Sequence, residues 1–284
     1  MTFPNIYGVR GATAKTQDQV RAEGLAAELS LPVLPDGQEA DAVLEVEQNR
    51  VSVLLKALPA GEERLELNWV RIDTSSSAGK NRRQPLLRAI RGRKKRLPGT
   101  VVLDCTAGLG QDTWILAAMG CAVIAVERNP LIFALLRDEL ARAGIARPRT
   151  ARRIRLCSGD AQHLLQSYLS PATGEDPGGR PVDPPLPPRP EVIMLDPLFP
   201  AYQKRKAAEK KSMRLLRLLA DDGRDQSGVL LDLALQVAGS RVILKRPLKA
   251  SALVSDLAPL SHQIQGKGLR YDIYIRPAVG RTDR

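Results

Sequence analysis

"TVVLDCTAGLGQDTWILAAMGCAVIAVE", residues 100–127, runs strand, glycine-rich turn, helix, strand, and that order decides the fold. "TVVLDC" (100–105) is an apolar run that ends on the carboxylate Asp104. "QDTWILAAMG" (111–120) has helical spacing, and "AVIAVE" (122–127) is a second apolar strand ending on Glu127. The pattern then repeats. "PLIFALLRDELARAG" (130–144) predicts a helix with Pro130 in its first turn and Gly144 as its stop. "RIRLCSGD" (153–160) predicts a strand and "AQHLLQSYL" (161–169) a helix. A strand over 191–195 follows, then a basic helix from about Ala201 to Leu219 and a helix near 229–238. The strands "RVILKR" (241–246) and "LRYDIYIRP" (269–277) close the chain. Strands alternating with helices imply an α/β fold with a mostly parallel sheet covered by helices on both faces.

Residues before about Thr74 have another texture. "QDQVRAEGLAAEL" (17–29) is spaced like an amphipathic helix, and "AVLEVEQNRVSVLLKAL" (42–58) reads as two strands joined at Gln48–Asn49. "RLELNWVRID" (64–73) alternates with period two, as a half-buried strand does. The organisation expected is therefore a small N-terminal α/β region over 1–79 and a main domain over 80–284. The stretch 170–190, "SPATGEDPGGRPVDPPLPPRP", is too rich in Pro and Gly to pack and reads as an exposed, mobile insertion in that domain.

Composition narrows the partners. Hydrophobic residues make up 43% of the 284, enough for a sizeable core, and the formal net charge is +12. That charge predicts an anionic partner, nucleic acid first and an acidic membrane surface second. "KNRRQPLLRAIRGRKKR" (80–96) holds nine Lys or Arg residues and reads either as a phosphate-contacting segment, with Arg82 and Arg83 at an RNA entrance, or as a solvated helix face. Cys105, Cys121 and Cys157 form no CxxC pair and sit in or beside apolar runs, which reads as reduced core thiols. With two histidines, His163 and His262, and no Cys/His cluster, no metal site is expected. The N-terminus lacks a signal peptide's apolar stretch and no window has the length of a membrane span, so the expectation is a cytoplasmic protein with no membrane association.

Ligands of open parallel sheets bind beyond the carboxyl ends of the strands, near the point where strand order reverses. The ends to inspect follow Asp104, Glu127, Asp160, Asp196 and Lys245, and four of those five are carboxylates. Buried acids cost desolvation unless they hold something. After Asp104, Gly108 and Gly110 permit a tight turn and close approach of a ligand. Thr113 stands where the dinucleotide fingerprint needs its third glycine, and no GK[ST] is present. Asp112, at the helix start, is a poor neighbour for a pyrophosphate and a good one for a cation. Glu127 can accept both hydroxyls of a ribose. Asp160 can accept an adenine amine, or cap the helix that follows, or do both. Together these carboxylates suit S-adenosylmethionine (SAM). The competing reading, a nicotinamide enzyme, lacks both the third glycine and a proton-transfer residue.

"EVIMLDPLFP" (191–200) ends the next strand at Asp196. Pro197 removes a backbone donor and stiffens the turn, so that nearby carbonyls can face the cleft. An exocyclic amine on a nucleobase could then give one N–H to Asp196 and another to such a carbonyl, freeing the nitrogen lone pair for in-line attack on a methyl group. Phe199 offers a face on which a base can stack, and the target base must leave its own stack to enter. A strand-ending turn with a buried Phe is the plainer alternative. Lys204 and Arg205 lie just beyond, as phosphate contacts or as a solvated face; Lys245 and Arg246, at the end of the fifth strand, could touch RNA phosphate or the target base.

"DCTAGLGQD", "VERNP", "LDPLFP" with a Lys-rich stretch after it, "VILKRP" and "GLRYDIYI" occur in the order and spacing of a known family. Over most of residues 40–276 the chain resembles the bacterial ribosomal RNA small-subunit methyltransferase J family, which makes N2-methylguanosine near the 3′ end of the small-subunit RNA. The resemblance implies a class I SAM-dependent methyltransferase fold of Rossmann-like type, SAM as cofactor, and small-subunit ribosomal RNA or a subunit particle as partner. It also implies SAM contacts at Gln111, Asp112, Glu127, Arg128, Asp160, Ala161 and Asp196. Gln111, where the family usually has Arg, and Asp160–Ala161, where it usually has a Ser pair, depart from the pattern. Two alternatives stand beside this one: an amino-methyltransferase of DNA adenine or cytosine, and a non-catalytic basic RNA-binding assembly factor.

Overall fold

The computed structural model describes residues 7–11, 16–35, 38, 40–48, 50–55, 61–74, 84–92, 97–170, 187–197, 211–220 and 226–276. In chain order the elements are β1 (Tyr7–Gly11), α1 (Thr16–Leu29), β2 (Ala42–Glu47), β3 (Arg50–Leu55), β4 (Glu63–Leu65), a 3-10 turn (Trp69–Arg71) and α2 (Pro85–Arg91). Next come β5 (Val101–Asp104), α3 (Gln111–Ala118), β6 (Ala122–Glu127), α4 (Pro130–Ala146), α5 (Pro148–Ala151), β7 (Ile154–Ser158) and α6 (Ala161–Leu169). The last are β8 (Val192–Leu195), α7 (Lys211–Ala220), α8 (Ser227–Val237), β9 (Arg241–Pro247), β10 (Leu260–Gln265) and β11 (Leu269–Ile275). The chain forms two units. One comprises Met1–Arg71, Arg128–Pro148 and Leu198–Arg224; the other comprises Ile72–Glu127, Arg149–Pro197 and Asp225–Arg284.

The first unit carries a four-stranded sheet in the order β1-β2-β3-β4. β1 runs parallel to β2, while β2, β3 and β4 are antiparallel neighbours. Gln48 turns the β2–β3 hairpin with φ +49°. Helix α1 packs on β1 and β2, and α4 on β3. Asn129 caps α4, its Oδ1 accepting from the N–H groups of Leu131 (3.0 Å) and Ile132 (3.1 Å), with Pro130 in the first turn. The helix does not stop at Gly144. It runs on to Ala146 and ends where Pro148 drives Arg147 out of the helical region (φ −138°, ψ 62°).

The strand expected over 64–73 is much shorter, and the reason is visible. Glu63, Leu65, Leu67 and Trp69 are buried and the residues between them exposed, so the alternation is real. Pairing with β3 nevertheless covers only Glu63–Leu65. Beyond it the Leu67 carbonyl accepts from Arg142 Nη2 (3.2 Å) and the Trp69 N–H donates to Glu139 Oε1. Side chains of α4 thus take the hydrogen bonds that a neighbouring strand would have taken.

The second unit is built on a seven-stranded sheet in the order β10-β11-β9-β8-β5-β6-β7. β9, β8, β5, β6 and β7 are mutually parallel; β11 is antiparallel to β9 and to β10. Order reverses between β5 and β8, which makes their carboxyl ends the switch point. Leu103, Ile193, Leu195, Leu231, Leu235, Leu244 and Tyr274 lie in one apolar core with residues of α6 and α8. Tyr271 and Tyr274, three apart on an alternating strand, face opposite sides of the sheet. Both are buried (5% and 0% exposed), because both faces of β11 are covered. Tyr274 Oη donates to the Leu253 carbonyl at 2.8 Å. β10 was not expected: Ser261, His262 and Gln263 are all exposed, so this strand has no apolar alternation to read.

Candidate active site

Four strand ends and one helix start converge at the switch point. β5 delivers Asp104, which is 1% exposed. Its Oδ2 accepts from Thr113 Oγ1 at 2.6 Å, and Oδ1 accepts from the Thr106 N–H at 3.3 Å. Burial pushes its carboxyl up to about 7; the Thr113 hydrogen bond opposes the rise, and the nearby Asp112 and Asp196 add to it. Thr113, the residue that breaks the dinucleotide fingerprint, is thus the partner of the strand-end acid.

The turn from Cys105 to Gly110 is stitched to both neighbours of β5. The Cys105 N–H donates to the Met194 carbonyl of β8 (3.0 Å), and the Ala107 N–H donates to the Val126 carbonyl of β6 (3.0 Å). Gly108 (φ +53°) and Gly110 (φ +70°) hold left-handed conformations that a side chain would strain. Glu127, buried at the end of β6, accepts the Gly108 N–H on Oε2 at 3.0 Å, so this acid shapes the turn it faces. Gly110 precedes α3 with no side-chain cap. Gln111 is exposed and Asp112 half-buried in the first turn of the helix. Asp160 caps α6, Oδ1 accepting from the Gln162 N–H at 2.7 Å, and Ala161 is buried behind it. The capping alternative is therefore realised on one of its oxygens; among the described residues the other takes no hydrogen bond. Arg128 follows Glu127 in the chain and is exposed.

Asp196 stands just past β8. Its N–H donates to Thr106 Oγ1 at 2.7 Å, which fastens the end of β8 to the turn after β5. Its carboxylate accepts from Lys245 Nζ at 2.7 Å, and the same ammonium donates to Asp112 Oδ2 at 3.0 Å. Burial raises the Asp196 carboxyl; Lys245 opposes the rise and Asp112 reinforces it. Burial disfavours the Lys245 charge, but Asp196 and Asp112 outweigh it and hold the ammonium above its ordinary value. Tyr271, the register partner of Lys245 on β11, is pushed up by burial and by the same two acids.

Lys245 and Arg246, expected at RNA phosphate or the target base, both have partners within the chain. The Lys245 ammonium bridges two carboxylates, and Arg246 is buried (8% exposed), its Nη2 donating to the Ser251 carbonyl at 2.6 Å. Pro197 follows Asp196, half-buried. Phe199, Lys204, Arg205, Arg82 and Arg83 lie outside the described residues. Sequence reasoning missed Thr106 and Thr113; a Thr two or nine residues after a strand-end acid carries no signal until the turn is folded.

The residues present fit SAM. Asp104, Glu127, Asp160 and Asp196 stand at or just past strand ends and Asp112 in the first turn of α3, a set of acids that suits a sulfonium and an ammonium and repels a pyrophosphate. A left-handed glycine turn allows the ligand close to backbone, and the uncapped start of α3 offers N–H groups to a carboxylate. Among the described residues no group of three or more His, Cys, Asp or Glu side chains is placed to hold a metal ion, and no helix is long and apolar enough to cross a membrane.

Residues 25–276 match the family model "Putative SAM-dependent methyltransferase". A protein of Thioalkalivibrio sulfidiphilus named ribosomal RNA small subunit methyltransferase J is 38% identical over 259 residues, covering 90% of this chain and 92% of that one. A protein of the same name from Pseudomonas aeruginosa is 35% identical over 290 residues, covering 99% and 98%. The crystal structure of a SAM-dependent methyltransferase from Neisseria gonorrhoeae shares the fold, with a TM-score of 0.60 at 23% identity over 96% of this chain and 98% of that one.

Proposed function

Since the chain belongs to the ribosomal RNA small subunit methyltransferase J family, with SAM as its cofactor, we propose that it methylates the exocyclic N2 of a guanosine near the 3′ end of small-subunit ribosomal RNA. The observation that carries this reading is Asp196: a carboxylate at the end of β8, pinned by its own N–H to Thr106, beside the glycine turn of β5. In this reading Glu127 takes the ribose hydroxyls, Asp160 the adenine amine, and Asp112 with the first N–H groups of α3 the amino-acid end of the cofactor. Bound SAM would supply an electrophilic methyl group on a sulfonium whose sulfur is the leaving group. Asp196 accepts one N–H of the guanine amine and a carbonyl beside Pro197 accepts the other. The two bonds draw the nitrogen toward tetrahedral geometry and turn its lone pair to the methyl. As the N–C bond forms, the nitrogen sheds a proton, which Asp196 takes and passes to water. Positioning and electrostatics account for the rate. The base is held flipped out of its stack.

The net charge of +12 supports a polyanionic substrate. The test replaces Asp196 by Ala and measures transfer of labelled methyl to small-subunit RNA and to the subunit particle. Transfer falls to background while folding persists; a variant that still methylates refutes the amine-holding role.

A further inference from the structure

We propose that Lys245 is a positioning residue for methyl transfer, keeping Asp196 ionised and its carboxylate fixed at the end of β8 so that it can accept the target N–H. The inference rests on the amine-holding reading of Asp196 given above. Its ground is a single ammonium shared between two acids from different elements, 2.7 Å from Asp196 Oδ2 and 3.0 Å from Asp112 Oδ2.

The groups that face Asp196 are Asp104 from β5, Asp112 from α3, Lys245 from β9 and Tyr271 from β11. Two of these four are carboxylic acids, and Tyr271 is a phenol that burial and the acids keep neutral. Lys245 is the one cation among the described residues that forms an ion pair with Asp196 or Asp112. Burial and like charge both favour protonation of Asp196, and the ammonium is the force that opposes them. A protonated Asp196 would offer a hydroxyl where the guanine amine needs an acceptor. The geometry also fixes direction. β9 and β8 pair in parallel register with Leu195 opposite Leu244, so the residue after each, Asp196 and Lys245, emerges side by side at the carboxyl edge of the sheet. A lysine on the same strand but one residue along would point to the other face. Only 19% of the Lys245 side chain is exposed, which suits an internal counter-charge better than a phosphate contact.

Remove the cation and Asp196 should ionise at higher pH. The test compares wild type, Lys245→Met and Lys245→Arg in kcat/KM for methyl transfer across pH. Because only the ionised Asp196 accepts the amine, each profile has an acid limb. In Lys245→Met that limb moves up by about one pH unit or more, so the rate on its acid side falls about tenfold and alkaline pH restores much of it. Lys245→Arg keeps the limb near its wild-type position. A second measurement needs no activity: the side-chain carboxyl carbon of Asp196, followed by NMR through a pH titration of the cofactor-free protein, titrates higher in Lys245→Gln than in wild type. A Lys245→Met enzyme slowed by the same factor at every pH, or an Asp196 titration unmoved in Lys245→Gln, overturns the proposal. If Asp196→Ala itself retains activity, the amine-holding reading fails first, and the NMR titration still reports on the ion pair.

Discussion

Asp104→Asn should make the methyltransferase unit more stable at alkaline pH, by an amount that depends on pH in a defined way. Asp104 is 1% exposed and its carboxyl is pushed from 3.8 up to about 7. An acid with a raised native pKa binds its proton more tightly folded than unfolded. Below pH 3.8 both states are protonated and there is no penalty. Between 3.8 and about 7 the unfolded chain has lost a proton that the native state keeps, so stability falls with rising pH. Above about 7 the penalty is constant. The difference of about three units corresponds to about 4 kcal/mol at full extent. Asn carries no such proton, and its amide can still face Thr113 Oγ1 while its carbonyl faces the Thr106 N–H. Urea unfolding followed by tryptophan fluorescence, with Trp114 buried on the adjoining helix, reads the difference. Between pH 5 and pH 8 wild type should lose about 3 kcal/mol relative to Asp104→Asn. A stability difference that is flat with pH, or one that grows in favour of wild type, would show that Asp104 is an ordinary ionised acid held by Thr113 and Thr106.

Three further outcomes follow from the same site. Glu127→Ala removes a charged acceptor from the nucleoside side of the pocket and leaves the Gly108 N–H without Oε2; SAM affinity measured by calorimetry should drop about tenfold or more, and an unchanged Kd would place the ribose elsewhere. Thr106→Val deletes the acceptor of the Asp196 N–H, so kcat should fall about tenfold with the SAM Kd little altered, whereas Thr106→Ser keeps activity; equal loss in both variants would refute a hydrogen-bonding role. RNA affinity should fall steeply between low and physiological salt, in line with a chain of net charge +12, and a shallow slope would exclude phosphate neutralisation as the main source of binding.

Much of the site was legible because its chemistry is local. Asp104, Gly108, Gly110 and Asp112 lie within one strand–turn–helix, and Glu127, Asp160 and Asp196 each end or follow an apolar strand. The alternation of strand and helix after Pro98 reads directly as a parallel sheet, and strand order then places those ends together. What stayed hidden depends on partners far away in sequence. Lys245 is 49 residues from Asp196 and 133 from Asp112, and it reads as a free cation until β8 and β9 are paired. Residues 66–70 keep a strand's alternation without a strand's pairing because Glu139 and Arg142, in a helix far along the chain, take over their hydrogen bonds. β10 shows the converse: polar and exposed along most of its length, it is a strand only because β11 offers it an edge. Tyr271 needed the same knowledge, since its burial follows from what covers β11 rather than from its own alternation.

The most direct test of the central claim is mass mapping of small-subunit ribosomal RNA from a strain lacking this gene, before and after incubation with the protein and isotope-labelled SAM. The account predicts one labelled methyl on the N2 of a single guanosine near the 3′ end with wild-type protein, and none with Asp196→Ala. Label on a ring nitrogen, a ribose hydroxyl or another base, or equal labelling by both proteins, would contradict it.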